Sequence, residues 1–210
     1  MKLTEYSVAD FLDETASASP APGGGSVSAL AGALAAALAS MVANLSQGKN
    51  FSSVVSEMQE IAARAKDLQK NLEDAIQKDT DSFGAYMDAL KLPKGTQEQM
   101  QARANAMQRA LQYAAGIPLE TAKTAVRVFP LLHKLLQCGN KNAESDALVA
   151  AMLAKVAVYG AAANVRINLK GIQDDSFRLQ TERTIEELVQ CAKNEERSIL
   201  KCSAFSFGFA

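Results

Sequence analysis

Tryptophan is absent from this chain, histidine occurs once (His133), and aromatic residues fill only 6% of its 210 positions. A single imidazole excludes a histidine-rich metal centre within one chain, and no HExxH occurs, so no metal site is expected. The three cysteines, Cys138, Cys191 and Cys202, are odd in number and form no CxxC pattern. On one helix Cys191 and Cys202 stand about 16 Å apart, too far to bridge. They read as small buried hydrophobes in a reducing cytoplasm. An excess of one charge is missing too: 22 basic and 23 acidic residues leave a net charge of −1. Without a basic stripe, nucleic acid is not an expected partner. Period-two alternation is confined to the tail Ala204–Phe209, which is too short to build a sheet.

What is present is alanine and helical spacing. Hydrophobic residues make up 48% of the chain, enough for one domain over 1–210 with a substantial core. Val27–Leu45 carries no charge over 19 residues, but it is mostly Ala, Ser and Gly. That is weak for membrane insertion, so it reads as a buried helix, and no membrane contact is expected. Within it Ser28, Gly32, Ala36 and Ser40 recur every four residues, a strip that lets another helix approach closely in a bundle or a symmetric dimer. The cap pattern at Ser7–Asp10 opens a short first helix. Further helices are expected over about 53–90, 96–115, 118–137 (kinked at Pro130), 145–169 and 176–202. The expected fold is all-α, a single-domain bundle of about six to seven helices, with a homodimer as its assembly.

One residue breaks the pattern. From Val54 the apolar seam runs Met58, Ile61, Ala65, Leu68, Leu72, Ala75, and then meets Asp79, Ser82 and Tyr86. A carboxylate facing a core costs several kcal/mol (about 3–5 if left unpaired) unless something pairs with it. Asp79 is therefore the first candidate for chemistry, the alternative being a structurally paired aspartate. Asp74 and Asp81 fall off the seam and read as solvated.

Other candidates carry equally plain alternatives. Gly23, Gly24 and Gly25 precede the apolar helix, with Ser26 as its expected cap. Glycines there free backbone N–H groups for a ligand, or let two backbones touch in a tight turn. Asn140, Asn142, Ser145 and Asp146 cluster where a loop enters a helix, which suits either capping or binding. Asn164 and Asn168 share a face with Gly160 and suit a planar polar ligand or a helix-to-helix pair. Asp146 and Asn164 lie about 27 Å apart along that helix, so they share one site only if the ligand is long or a second subunit folds it back. His133, between Leu132 and Lys134, reads as structural rather than as a general base.

Several of these segments together resemble one family. Pro20-Ala21-Pro22-Gly23-Gly24-Gly25-Ser26-Val27, Gly48-Lys49-x-Phe51, Asp79 with Phe83, Leu92-Pro93-Lys94 and Pro118-Leu119-Glu120 resemble the cyclodeaminase/cyclohydrolase family. So do Gly139-Asn140-x-Asn142-x-x-Ser145-Asp146 and Gly160-Ala161-x-x-Asn164-Val165-x-Ile167-Asn168-Leu169. The family includes the C-terminal half of formiminotransferase-cyclodeaminase and stand-alone methenyltetrahydrofolate cyclohydrolases. The resemblance implies an all-helical cytoplasmic homodimer acting on a tetrahydrofolate substrate with no further cofactor. It implies deaminating cyclisation of 5-formimidoyltetrahydrofolate to 5,10-methenyltetrahydrofolate or, alternatively, hydrolysis of the methenyl form to 10-formyltetrahydrofolate. Asp79 and Lys49 become the expected catalytic pair. Gly23, Gly24, Gly25, Ser26, Asn140, Asn142, Ser145, Asp146, Asn164 and Asn168 become the expected binding residues. A non-catalytic helical dimer that binds folate or a partner is the alternative from another class.

Overall fold

The computed structural model describes residues 2–203 and Phe205. Apart from Phe205, the alternating tail lies outside the described residues. Seven α-helices occur among them: α1 (Val8–Ala16), α2 (Gly24–Leu45), α3 (Val55–Lys91), α4 (Gln97–Val126), α5 (Phe129–Cys138), α6 (Glu144–Leu169) and α7 (Asp175–Lys201). Short 3-10 turns at Lys49–Phe51 and Lys141–Ala143 lead into α3 and α6.

The uncharged α2 takes the centre, as its composition demands. It packs on α3 and α6, while α4 closes the ring against both of those. Gly24, Ser28 and Gly32 of α2 meet Asn164, Gly160 and Ala157 of α6, so these two helices run antiparallel. Gly25 and Gly32 meet Asp79 and Leu72, so α2 and α3 do too. The four-residue strip of small residues thus serves the inside of the bundle. A Cβ on Gly32 would stand 3.0 Å from Leu72 Cδ2 and 3.3 Å from Ala157. Small side chains set the interaxial distance, and Ala29, Ala35, Ala36 and Ala39 are wholly buried. By length and composition α2 and Lys141–Leu169 each suffice to cross a membrane, but 61% of the apolar α2 window is buried inside the bundle.

Three boundaries differ from expectation. The triple glycine is not a loop ahead of α2: the N-cap position is Gly23, and Gly24, Gly25 and Ser26 form the first turn. Ser26 caps nothing, and its hydroxyl points to the Ile76 carbonyl of α3 at 2.9 Å. Second, α4 runs unbroken through Gly116 and Pro118. A proline inside a helix strands the carbonyl four residues back. Here that is Ala114 O, and Asn168 Nδ2 of α6 donates to it at 2.9 Å. Third, Pro130 does not kink a helix. The chain breaks at Arg127–Val128, and Pro130 sits in the first turn of α5, where no backbone donor is needed. The expected seam holds from Met58 to Leu72, then shifts from Ala75 to the buried Ile76 because 3.6 residues per turn outruns a 3.5-residue repeat. Cys191 and Cys202 are exposed rather than buried, and Cys138 is half-buried. His133 Nε2 pairs with Glu195 Oε2 of α7 at 2.7 Å, which ties α5 to α7.

Candidate active site

All four ring helices converge on one cavity. Gly25 of α2, Asp79 of α3, Ala114 of α4 and Asn164 of α6 come to the same level, around a pocket of about 440 Å³. Antiparallel neighbours produce this convergence: descending α2 passes ascending α3 at Gly25–Asp79, and descending α4 passes ascending α6 at Ala114–Asn168.

Asp79 is half-buried and faces the first turn of α2. Ser26 Oγ lies 3.1 Å from its Oδ2. Burial pushes its carboxyl above the usual carboxylate range, opposed by hydrogen bonds from the Ser26 hydroxyl and backbone. The unbonded N–H groups of a helix start favour the ionised form. Desolvation outweighs them here, and the result is a carboxyl that holds its proton more tightly than a solvated one. Gly25 is what admits it. A Cβ at that position would fall 2.4 Å from Asp79 Cγ, closer than real Cβ contacts come. Gly24 likewise leaves room for Asn164, 3.3 Å from where its Cβ would stand. The glycines are thus explained by close approach of side chains from α3 and α6, not by a turn.

The two asparagines on α6 both reach the pocket, and each donates one of its two amide N–H groups to the protein. Asn164 Nδ2 donates to Gly160 O at 2.8 Å, and Asn168 Nδ2 to Ala114 O. Their carbonyl oxygens remain as acceptors in the wall. Gly160 itself faces Ser28 rather than the pocket. Phe83, Tyr86, Leu111 and Ile167 supply flat and apolar surface. Pockets of this kind, mostly apolar with a few convergent polar groups, suit a planar ligand with a polar edge. Leu111 and Ile167 were not among the expected site residues. Ile167 had a signal in its spacing, three residues from Asn164 on the face already implicated, whereas Leu111 and its neighbour Ala114 had none, because α4 carried no candidate.

Of the expected residues, Gly23, Gly24, Gly25, Asp79, Asn164 and Asn168 line the pocket, and Ser26 supports Asp79 from behind. Lys49, Asn140, Asn142, Ser145 and Asp146 do not join them. They lie at the opposite end of α2, a helix of 22 residues and hence about 33 Å long. There Asn140 N–H donates to Ser46 Oγ at 2.8 Å, and Asn140 Oδ1 accepts from Asn142 N–H at 3.0 Å. Asn140 Nδ2 closes on Leu45 O. Within one chain this end is a closure of α2 onto the loop before α6.

Comparison with known proteins gives the family. Formimidoyltransferase-cyclodeaminase of Mus musculus is 39% identical over 199 residues, which is 94% of this chain and 37% of that protein. The chain therefore spans little more than a third of that relative. Methenyltetrahydrofolate cyclohydrolase of Methylorubrum extorquens is 38% identical over 180 residues, covering 85% of this chain and 86% of that one. The crystal structure of formiminotetrahydrofolate cyclodeaminase from Thermotoga maritima superposes with a TM-score of 0.85 at 32% identity, covering 96% of this chain and 97% of that one. The formiminotransferase-cyclodeaminase family model matches residues 7–187, and this chain belongs to that family.

Proposed function

We propose that the Asp79 pocket performs deaminating cyclisation of 5-formimidoyltetrahydrofolate to 5,10-methenyltetrahydrofolate, releasing ammonia. The observation that carries this reading is a carboxyl of raised pKa at the rim of a flat, polar-edged pocket. Ring closure forms a bond from N10 of the folate to the formimidoyl carbon and breaks the bond from that carbon to its terminal nitrogen. The proton on N10 must leave, and the departing nitrogen must gain one. One carboxyl group can take the first and supply the second, and a pKa raised above the ordinary carboxylate value favours the second step. The acceptor oxygens of Asn164 and Asn168 suit the N–H edge of a pterin, and the glycine turn lets the ligand lie against backbone. The reading requires no cofactor beyond the folate, and a cytoplasmic setting suits it.

The second reading is hydrolysis of the methenyl form to 10-formyltetrahydrofolate. It is favoured by the Methylorubrum extorquens cyclohydrolase, which matches 85% of this chain and 86% of its own length. Mixing the protein with each folate and following methenyl absorbance separates the two. The first reading expects the band to rise from the formimidoyl substrate, and the second expects it to fall from the methenyl substrate. Asp79→Asn removes turnover by about 10³-fold or more in either case and leaves folate binding largely intact. Undiminished turnover in that variant refutes the assignment.

The same reading includes a homodimer. Val27, Leu34, Met41 and Leu45 of α2 and Val149 and Val156 of α6 are exposed on neighbouring helices. A second copy is the occupant that fits them. A two-fold axis that pairs these helices antiparallel lays the exposed apolar side chains of the two copies against one another. It also lays the Lys49 end of each chain towards the pocket end of the other, which restores the expected roles of Lys49, Asn140, Asn142, Ser145 and Asp146. Leu34→Glu is expected to yield a monomer in light scattering and to lower turnover; a fully active monomer denies the far end any part in the reaction.

A further inference from the structure

One face of α4 continues beyond the pocket. Ala114 and Leu111 line the Asp79 cavity. One turn and more towards the N-terminus, Met107, Ala104, Arg103 and Met100 line a second groove of about 380 Å³. Apart from Arg103, next to Ala104, these positions follow in steps of three and four, so cavity and groove share a stripe about 21 Å long. Gln108 stands at the join. Its Nε2 donates to Gly171 O at 2.9 Å, and its Oε1 accepts from Gln173 N–H at 2.8 Å. Gly171 borders the cavity and Gln173 borders the groove.

The groove is cationic. Lys94 and Arg103 line it, and no carboxylate does. Arg103 is held in place by Nε donating to Leu90 O at 3.2 Å, at the end of α3. That leaves the outer edge of its guanidinium for an anion. No salt bridge to an Asp or Glu occupies Lys94 or Arg103 among the described residues. Met100 and Met107 flank the cations with soft apolar surface suited to an aromatic ring edge.

We propose that this groove binds the glutamate end of the folate whose reacting end occupies the Asp79 cavity. The inference rests on the folate reading above. The benzoyl ring lies along Leu111 and Met107, and the glutamate carboxylates meet Arg103 and Lys94. Arg offers a planar fork to a carboxylate, and Lys a mobile point charge that can follow a longer glutamate chain.

The test compares two substrates, the tetrahydrofolate derivative and the matching tetrahydropteroate derivative, which lacks glutamate. The wild type is expected to show a KM for the glutamate-bearing substrate about tenfold below that for the pteroate, the gain of one or two partly exposed charge-assisted contacts. Lys94→Gln with Arg103→Gln is expected to raise the former KM about tenfold, with the change in KM rather than kcat, so that the preference vanishes. Lys94→Arg is expected to keep it, and raising the salt concentration to erode it. Lys123→Gln, at the far end of α4, controls for non-specific loss of charge. Equal KM values for the two substrates in the wild type, or a preference that survives the double substitution, overturn this inference and leave the folate reading standing. No turnover of either substrate by the wild type overturns both.

Discussion

The two ends of α2 are made of the same materials and do opposite things. Glycine, serine and asparagine gather at each. At the C-terminal end the polar groups close on one another: Ser46 Oγ donates to Val42 O and accepts from Asn140 N–H, while the Asn140 side chain spans Leu45 O and Asn142 N–H. At the N-terminal end no side chain of α2 caps the helix, and Asp79 comes from another helix to face its first turn beside an open pocket. Residue type does not separate a site from a closure. What separates them is whether the hydrogen bonds are completed inside the protein or left facing a cavity.

Gly25→Ala puts the largest strain on that comparison. Its methyl group has no room beside Asp79, so the carboxyl must swing away from the pocket. Misplacing a reacting group by about 1 Å costs on the order of 10²-fold in turnover. The expected result is a loss of at least that size in kcat, with a melting temperature close to that of the wild type. Should activity persist, Asp79 acts from a different position, or not at all.

Lys49→Gln probes the other end and is expected to lower kcat about tenfold, provided that a second copy delivers that end to the pocket. Its effect should disappear in a Leu34→Glu background, where monomers have already lost the contact. Ser46→Ala cuts the closure without touching the pocket. It leaves Asn140 N–H without its partner and is expected to cost about 1–2 kcal/mol in chemical denaturation. Turnover per folded molecule should hold, and a fall would mean that the two ends communicate.

Much of this was legible in the sequence, and the gaps have physical causes. Asp79 stands out because helical spacing alone assigns each residue to a face, and a carboxylate on the apolar face breaks the pattern. The capping box at Ser7–Asp10 forms as its spacing suggests. Pro118 misled because local rules end a helix at proline, whereas the stranded carbonyl finds Asn168 on a helix 54 residues away in sequence. Such rescue is tertiary and leaves no local trace. The glycines misled in the same way: from sequence they form a loop, and only the approach of Asp79 and Asn164 shows them to be the first turn of a helix. Membership of one cluster or the other was not legible either. Asn140 and Asn164 look alike as residues, and they diverge only because α2 separates them.

The smallest expected effect concerns stability and pH, and its sign follows from burial. Desolvation raises the Asp79 carboxyl above its ordinary value of 3.8, against the pull of the Ser26 bonds. The folded protein therefore holds that proton more tightly than the unfolded chain does. Stability must then fall as pH rises from the unfolded value through the raised folded one, and it is level on either side of that window. This is opposite to a salt-bridged aspartate, which gains stability as it ionises. Asp79→Asn keeps the shape and removes the titration. Relative to the wild type it should melt at a similar temperature below the window and about 2 °C higher above it. Ser46→Ala, which cuts only the closure at the far end, should leave this difference unchanged. Parallel wild-type and variant curves across the whole pH range would show that Asp79 ionises as freely as a surface carboxylate, and the N-terminal end of α2 would then be a closure like the other.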